Sequence, residues 1–137
     1  MTLLHPKHWT AASGFSHGVA ADGRQVFVAG QVAWNARQEI VSDDLVAQVE
    51  QALRNVVEVL AEADARPEHL VRLNWYITDK REYLARSSDV GKVYRDVVGR
   101  HFPAMTLVQV ASLLEDRAKV EIGATAVVPT LKPDAEN

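Results

Sequence analysis

Apolar and polar residues alternate along several short segments of the chain, as they do in β-strands that bury one face. Within residues 70–78, for example, the odd positions are all apolar, whereas three even positions carry Arg72, Asn74 and Tyr76. This pattern, or an apolar run of similar length, predicts strands at Gly14–Ala21, Gln25–Gln31, Leu70–Thr78, Met105–Ala111 and Ala118–Val128.

Turn and helix signals separate these strands. Asp22-Gly23 lies between the first two strands and predicts a tight hairpin, because glycine accepts the positive φ that such turns require. Ser42, followed by two acids, predicts a capped helix start, and apolar residues then recur every three or four positions until Pro67. A second amphipathic helix is predicted roughly over Ser88–Val98.

The resulting order is β-β-α-β-α-β-β, which indicates an α+β domain. Two helices can cover only one face of its sheet. The uncovered face is predicted to carry four apolar or aromatic residues among polar ones: Phe27, Tyr76, Leu107 and Val127. A half-apolar face of this kind favours self-association, because water contact with it is costly.

Length and composition narrow the class of protein. At 137 residues we expect a single domain over residues 1–128, with residues 129–137 as a flexible tail. The net charge of −3 argues against sequence-independent nucleic-acid binding, and no apolar stretch is long enough to cross a membrane. The chain has no cysteine, and its N-terminus lacks the apolar core of a signal peptide, so a cytoplasmic location is expected.

Five motifs, in this order, resemble the RidA/YjgF family. They are Gly14-Phe15-Ser16-His17, Val28-Ala29-Gly30-Gln31, Gln51-Ala52-Leu53-Arg54-Asn55-Val56, Phe102-Pro103-Ala104 and Val120-Glu121-Ile122. The resemblance implies a chorismate-mutase-like fold, with one mixed sheet and two helices on one face. It also implies a homotrimer with small-molecule clefts between its subunits. The activity it implies is hydrolysis of reactive enamines or imines to keto acids and ammonia, without a cofactor.

Carried over position by position, the family's site is only partly kept in this chain. Glu121 matches the glutamate that positions the attacking water, and Gly30 and Gln31 match the end of the family's Ser-Gly-Gln strand. Ala29 replaces the serine of that motif, and Phe15 stands where many members have tyrosine. By this resemblance the chain keeps the acid and loses two hydroxyl groups.

The largest departure from the family follows residue 104. Met105 and Thr106 stand in place of an Arg-Ser pair whose arginine grips the substrate carboxylate, and Leu107 stands where archetypal members often have cysteine. A guanidinium gives a carboxylate both charge and orientation, whereas a thioether gives neither. We therefore expect poor activity on small acidic imines and a substrate suited to an apolar wall, although Met105 could also be core filler. Arg72 could replace the lost arginine or could be a solvated surface residue.

Three other residues have both a functional and a structural interpretation. His17 could bind a ligand or move protons, or could be a surface or interface histidine. Trp34 could stack on a ligand or on a neighbouring subunit. Glu121 is either the water-directing acid or an interface carboxylate paired with Lys119 or Arg117. With Glu121 as the catalytic residue and no metal site, the predicted substrate-binding residues are Phe15, His17, Ala29, Gly30, Gln31, Trp34, Met105, Thr106 and Leu107.

Two functions are the main candidates for these residues, ahead of a purely structural trimer, which the retained Glu121 and the Gly30-Gln31 strand end disfavour. The first is a trimeric RidA-like hydrolase of an imine, enamine or related unsaturated metabolite, in which Glu121 directs water. The second is a non-catalytic trimer of the same fold that binds a small apolar metabolite or acts as a holdase-like partner. We take the first as the working hypothesis.

Overall fold

The computed structural model describes residues 1–130, and its elements follow the predicted order with three additions. In chain order they are β1 Thr2–Leu4, β2 Gly18–Ala20, β3 Arg24–Gln31, α1 Leu45–Glu62, β4 Leu70–Ile77, α2 Lys80–Ala85, α3 Ser87–Val97, β5 Ala104–Gln109 and β6 Val120–Val128. The additions are β1, α2 and a 3-10 turn at Pro67–His69. Of the predicted tail, residues 131–137 lie outside the described residues. No helix in the described part of the chain is long and apolar enough to span a membrane.

Four of the strands form one mixed sheet, in the order β3-β6-β4-β5. β4 and β5 run parallel, whereas β6 is antiparallel to both of its neighbours. α1 packs against α3 and lies over β3 and β6. The core between the helices and the sheet consists of buried apolar side chains, among them Val49, Leu53, Leu73, Ile77 and Ile122. The predicted α+β fold is thereby confirmed.

The start of α1 is set by Asp44 rather than by Ser42. The Asp44 carboxylate accepts a hydrogen bond from the backbone N–H of Ala47 at 3.0 Å, which is the geometry of a helix cap. Ser42 Oγ accepts from the backbone N–H of Asp44 at 3.0 Å and so orders the turn before the cap. The bond from Ala47, together with the nearby Arg86 guanidinium, lowers the pKa of Asp44.

The predicted pairing of the first hairpin is wrong. β2 is antiparallel to β1, and within residues 1–130 it does not belong to the sheet that contains β3. Asp22 is not among the residues with positive φ, so the tight turn that requires positive φ at both central positions does not form. The segment before β2 lies beside β5 instead, where Ser16 pairs with Ala104 in a single parallel bridge.

The strand register decides which face of the sheet each residue of β5 occupies. Met105 lies opposite Leu73, and Leu107 lies opposite Trp75, and both of these β4 partners are buried on the helix side. The prediction that Leu107 lies on the uncovered face is therefore wrong. Thr106 occupies that face, because alternate residues of a strand point to opposite sides.

The face of the sheet opposite the helices is called the open face below. Phe27 on this face is 71% exposed in the single chain, and Val108 is 42% exposed. Tyr76, paired with both Val108 and Glu121, lies on the same face. Self-association through this apolar surface stays a prediction.

Candidate functional site

A pocket of about 890 Å³ opens between α3, β5 and the segment before β2. We call it the α3–β5 pocket. Three of the predicted substrate-binding residues, Phe15, Met105 and Leu107, line it. Four further aromatic side chains complete its walls: Trp75, Tyr83, Tyr94 and Phe102.

Local hydrogen bonds hold the segment before β2 against the end of β5. The Ser16 hydroxyl donates to the carbonyl of Phe102 at 2.6 Å, and the Ser16 N–H donates to the carbonyl of Pro103 at 3.0 Å. Phe15 is thus brought to the same pocket as Met105. The Gly14–His17 and Phe102–Ala104 motifs, which are far apart in the sequence, therefore meet at one place in the fold.

The rear wall of the pocket is rigid. The rings of Tyr94 and Phe102 are stacked, with centroids 5.3 Å apart. The Tyr94 hydroxyl donates to the backbone carbonyl of His101 at 2.5 Å, and burial raises the pKa of Tyr94. The phenol is therefore neutral at physiological pH and serves as a fixed wall rather than as an acid or base.

His17 does not line this pocket. Its ring lies in an exposed aromatic cluster, 5.2 Å from Phe15, 4.8 Å from Trp9 and 5.7 Å from His5, measured between ring centroids. Phe15 belongs to both the cluster and the pocket, so His17 stands one ring away from the pocket walls.

Glu121 lies on the open face, with its carboxylate over Gly30. A β-carbon built on Gly30 would stand 2.4 Å from Oε2 of Glu121, closer than real contacts allow, so residue 30 must lack a side chain for Glu121 to hold this position. An irregularity in the β3–β6 register between Val28 and Gln31 accompanies this close approach.

The Glu121 carboxylate forms no ion pair or side-chain hydrogen bond within residues 1–130. The alternative pairing with Lys119 or Arg117 is not made within one chain, since Lys119 binds Glu82 at 3.1 Å and Arg117 binds Asp43 at 2.9 Å. Glu121 itself is half-buried.

Arg72 and Thr106 lie together on the open face. Arg72 Nη2 donates to Thr106 Oγ1 at 2.9 Å, and Arg72 Nε donates to Asn74 Oδ1 at 3.0 Å. Neither Arg72 nor Thr106 lines the α3–β5 pocket. Arg72 therefore does not stand in for the missing arginine beside Met105 of its own chain.

The remaining predicted residues lie where β3 ends. Gln31 Nε2 donates to the carbonyl of Ala29 at 3.1 Å, and Trp34 Nε1 donates to Gln31 Oε1 at 3.5 Å. Asn55 of α1 holds the following loop by donating to the carbonyls of Val32 and Trp34, at 3.1 and 2.9 Å. These residues therefore lie on the same side as Glu121 and do not line the α3–β5 pocket.

The predicted site thus divides into two parts within one chain. The α3–β5 pocket lies on the helix side of the sheet, whereas Glu121 and Gly30 lie on the open face. Sequence reasoning missed Trp75, Tyr94 and Arg95, which also line the pocket. The available signal was the run of α3 residues at three- and four-residue spacing on one face. The described residues contain no group of three His, Cys, Asp or Glu side chains placed to hold a metal ion.

The family model described as Endoribonuclease L-PSP matches residues 6–128. The chain belongs to this family, the RidA/YjgF family, as the five motifs predict.

Individual relatives agree with this assignment. A Myxococcus xanthus protein named DfrA is 36% identical over 123 residues, which cover 85% of this chain and 87% of its own. A Salmonella typhimurium protein named 2-iminobutanoate/2-iminopropanoate deaminase is 30% identical over 108 residues, covering 77% and 80%. The crystal structure of YyfB from Yersinia pestis, a protein of the Rid family described as of unknown function, has a TM-score of 0.83. It is 34% identical and covers 93% of this chain and 98% of its own.

Proposed function

We propose that the protein is a homotrimeric hydrolase of imines or enamines, with each active site shared between two subunits. The observation that carries this proposal is the unpaired carboxylate of Glu121, held over Gly30 on a partly apolar sheet face. The name of the Salmonella typhimurium relative, an imine deaminase of 30% identity, supports the choice of reaction.

The geometry of one chain supports a site shared between subunits. Glu121 extends from β6 on the open face, and the α3–β5 pocket lies behind the sheet, beyond β4. A carboxylate on one face cannot touch a ligand held behind the other. A second subunit placed against the open face would bring its pocket edge to Glu121, and the exposed Phe27 gives such contact a hydrophobic contribution.

The chemistry needs only water and a carboxylate. Glu121 accepts a proton from water as the water oxygen attacks the imine carbon, which gives a carbinolamine. Glu121 returns this proton to the nitrogen, which completes the neutral carbinolamine. The carboxylate then transfers the hydroxyl proton to the nitrogen as the carbon–nitrogen bond breaks, so that a carbonyl compound and ammonia leave and Glu121 is regenerated as the carboxylate. A carboxylate positioned as a general base contributes about 100-fold to 10,000-fold to such a step.

The pocket walls specify the kind of substrate. Phe15, Met105 and Leu107 offer apolar contact where small acidic imines would need a cation. Burial of a phenyl or branched aliphatic group against them is worth roughly 1.5–3 kcal/mol. The substrate is therefore an imine with a large apolar or aromatic substituent.

The test uses imines generated in place. An amino-acid oxidase supplies the imine of phenylalanine, leucine or alanine, semicarbazide traps it, and semicarbazone formation is followed with and without the protein. We expect the protein to divert the phenylalanine and leucine imines at least about tenfold more efficiently than the alanine imine. If no imine of the three is hydrolysed faster than in buffer, generic deaminase activity is excluded. If the protein hydrolyses none of the three imines but binds a small apolar metabolite saturably, it is a non-catalytic binder.

A further inference from the structure

The α3–β5 pocket contains one charged side chain in its lining, that of Arg95 on α3. No carboxylate lines this pocket. Arg95 forms no ion pair and no side-chain hydrogen bond to residues 1–130. Five other arginines do form ion pairs: Arg37, Arg54, Arg66, Arg86 and Arg117. Arg95 is exposed to solvent at the edge of the pocket, where its unpaired guanidinium can offer an anion a charge-assisted hydrogen bond beside apolar walls.

Gly91 makes room for this guanidinium. It lies one helical turn before Arg95, and a β-carbon built on it would stand 3.3 Å from Arg95 Nη1. Glycine inside a helix is less favourable than alanine, so the position is unfavourable for α3 itself. Both residues line the pocket. The missing side chain lets the Arg95 guanidinium lie back along α3 at the pocket wall.

Trp75 contributes its ring to the same pocket. Its Nε1 has no hydrogen-bond partner within the described residues, but this atom has almost no accessible surface and is not offered to a ligand. The aromatic walls and the one unpaired guanidinium together describe a planar apolar ligand with an acidic group.

We propose that Arg95 is the anion-binding residue of the α3–β5 pocket and that the pocket takes aromatic carboxylates. This inference deepens the proposed function by naming the substrate class. It places the acidic group at α3 rather than beside Met105, so the apolar wall and an acidic substrate are compatible.

The test compares phenylacetate with phenylacetamide, a neutral molecule of nearly the same shape. Titration calorimetry at neutral pH and low salt gives both affinities for the wild-type protein. We expect phenylacetate to bind about tenfold more tightly or better, as a charge-assisted hydrogen bond implies. Arg95→Gln is expected to abolish this preference. Arg100→Gln removes an arginine that also forms no ion pair but does not line the pocket, and should keep the preference.

Gly91→Ala provides a second variant that should fold at least as well, because alanine favours the helix. Its methyl group would lie 3.3 Å from Arg95 Nη1, so the guanidinium has to shift by a few tenths of an ångström, and a smaller preference for phenylacetate is expected. Equal affinities in the wild-type protein, no binding of either molecule at millimolar concentration, or a preference that survives Arg95→Gln would each overturn the inference. Because binding is measured without turnover, an Arg95-dependent preference without imine hydrolysis refutes the proposed function alone. Hydrolysis of the phenylalanine imine that Arg95→Gln leaves unchanged refutes the inference alone.

Discussion

Glu121→Gln is expected to lower kcat for the phenylalanine-derived imine by about 100-fold or more, with little change in KM. The amide has almost the same shape as the carboxylate, but it cannot accept a proton from water. The apolar walls that bind the substrate lie elsewhere and are unchanged. Steady-state rates in the semicarbazide assay give both constants.

The matched control is Glu58→Gln, which neutralises an exposed glutamate of α1 far from the open face. It should keep wild-type rates, and both variants should melt at the wild-type temperature. A Glu121→Gln protein with full activity would show that another group directs the water, and the proposed mechanism would then fail.

Gly30→Ala is expected to reduce kcat by about 100-fold while the domain stays folded, because a 1 Å displacement of a catalytic group has effects of that size. The added β-carbon would meet Oε2, Cδ and Cγ of Glu121 at 2.4, 2.8 and 3.0 Å. All three atoms belong to one flexible side chain, which can swing away. The free energy of unfolding should change by no more than about 1 kcal/mol.

Gly123→Ala is the control for this variant. Gly123 is a neighbouring glycine, where a β-carbon would have ordinary contacts at 3.8–3.9 Å, and activity should be kept. A double variant that carries both Gly30→Ala and Glu121→Gln shows whether Gly30 acts through Glu121. If Gly30 acts by positioning Glu121, adding Gly30→Ala to Glu121→Gln lowers kcat no further. A further full decrease in the double variant would assign Gly30 a role of its own.

The spacing of apolar residues predicted the long helices and strands. It did not predict the short elements or which strands pair with each other. The apolar spacing of α1 and the alternation in β4 and β6 correspond to the observed burial. α2 has six residues, fewer than two turns, so no helical period can be recognised in it. In β5, Leu107 and Val108 are both apolar, and only the register with β4 shows which one faces the helices.

The family motifs located the candidate site better than they described its shape. Phe15, Met105 and Leu107 meet in one pocket, although residue 15 is far from the other two in the chain. Glu121 lies against Gly30, so the Val120–Ile122 and Val28–Gln31 motifs also meet in the fold. What the motifs could not show is that the sheet separates these two groups, since sequence order does not record the side of a sheet. Arg95 was missed because an exposed charged residue near a helix end has no sequence feature that separates it from other surface residues.

The most direct test of the central claim is subunit complementation. Glu121→Gln lacks the acid but keeps the pocket, whereas Leu107→Trp fills the pocket but keeps the acid. Each variant alone should be almost inactive. In trimers that contain the two at random in equal amounts, about one quarter of the sites combine an intact Glu121 with an intact pocket from the next subunit. Recovery of about a quarter of the wild-type activity is the predicted result, and a mixture no more active than its parents would contradict a shared site.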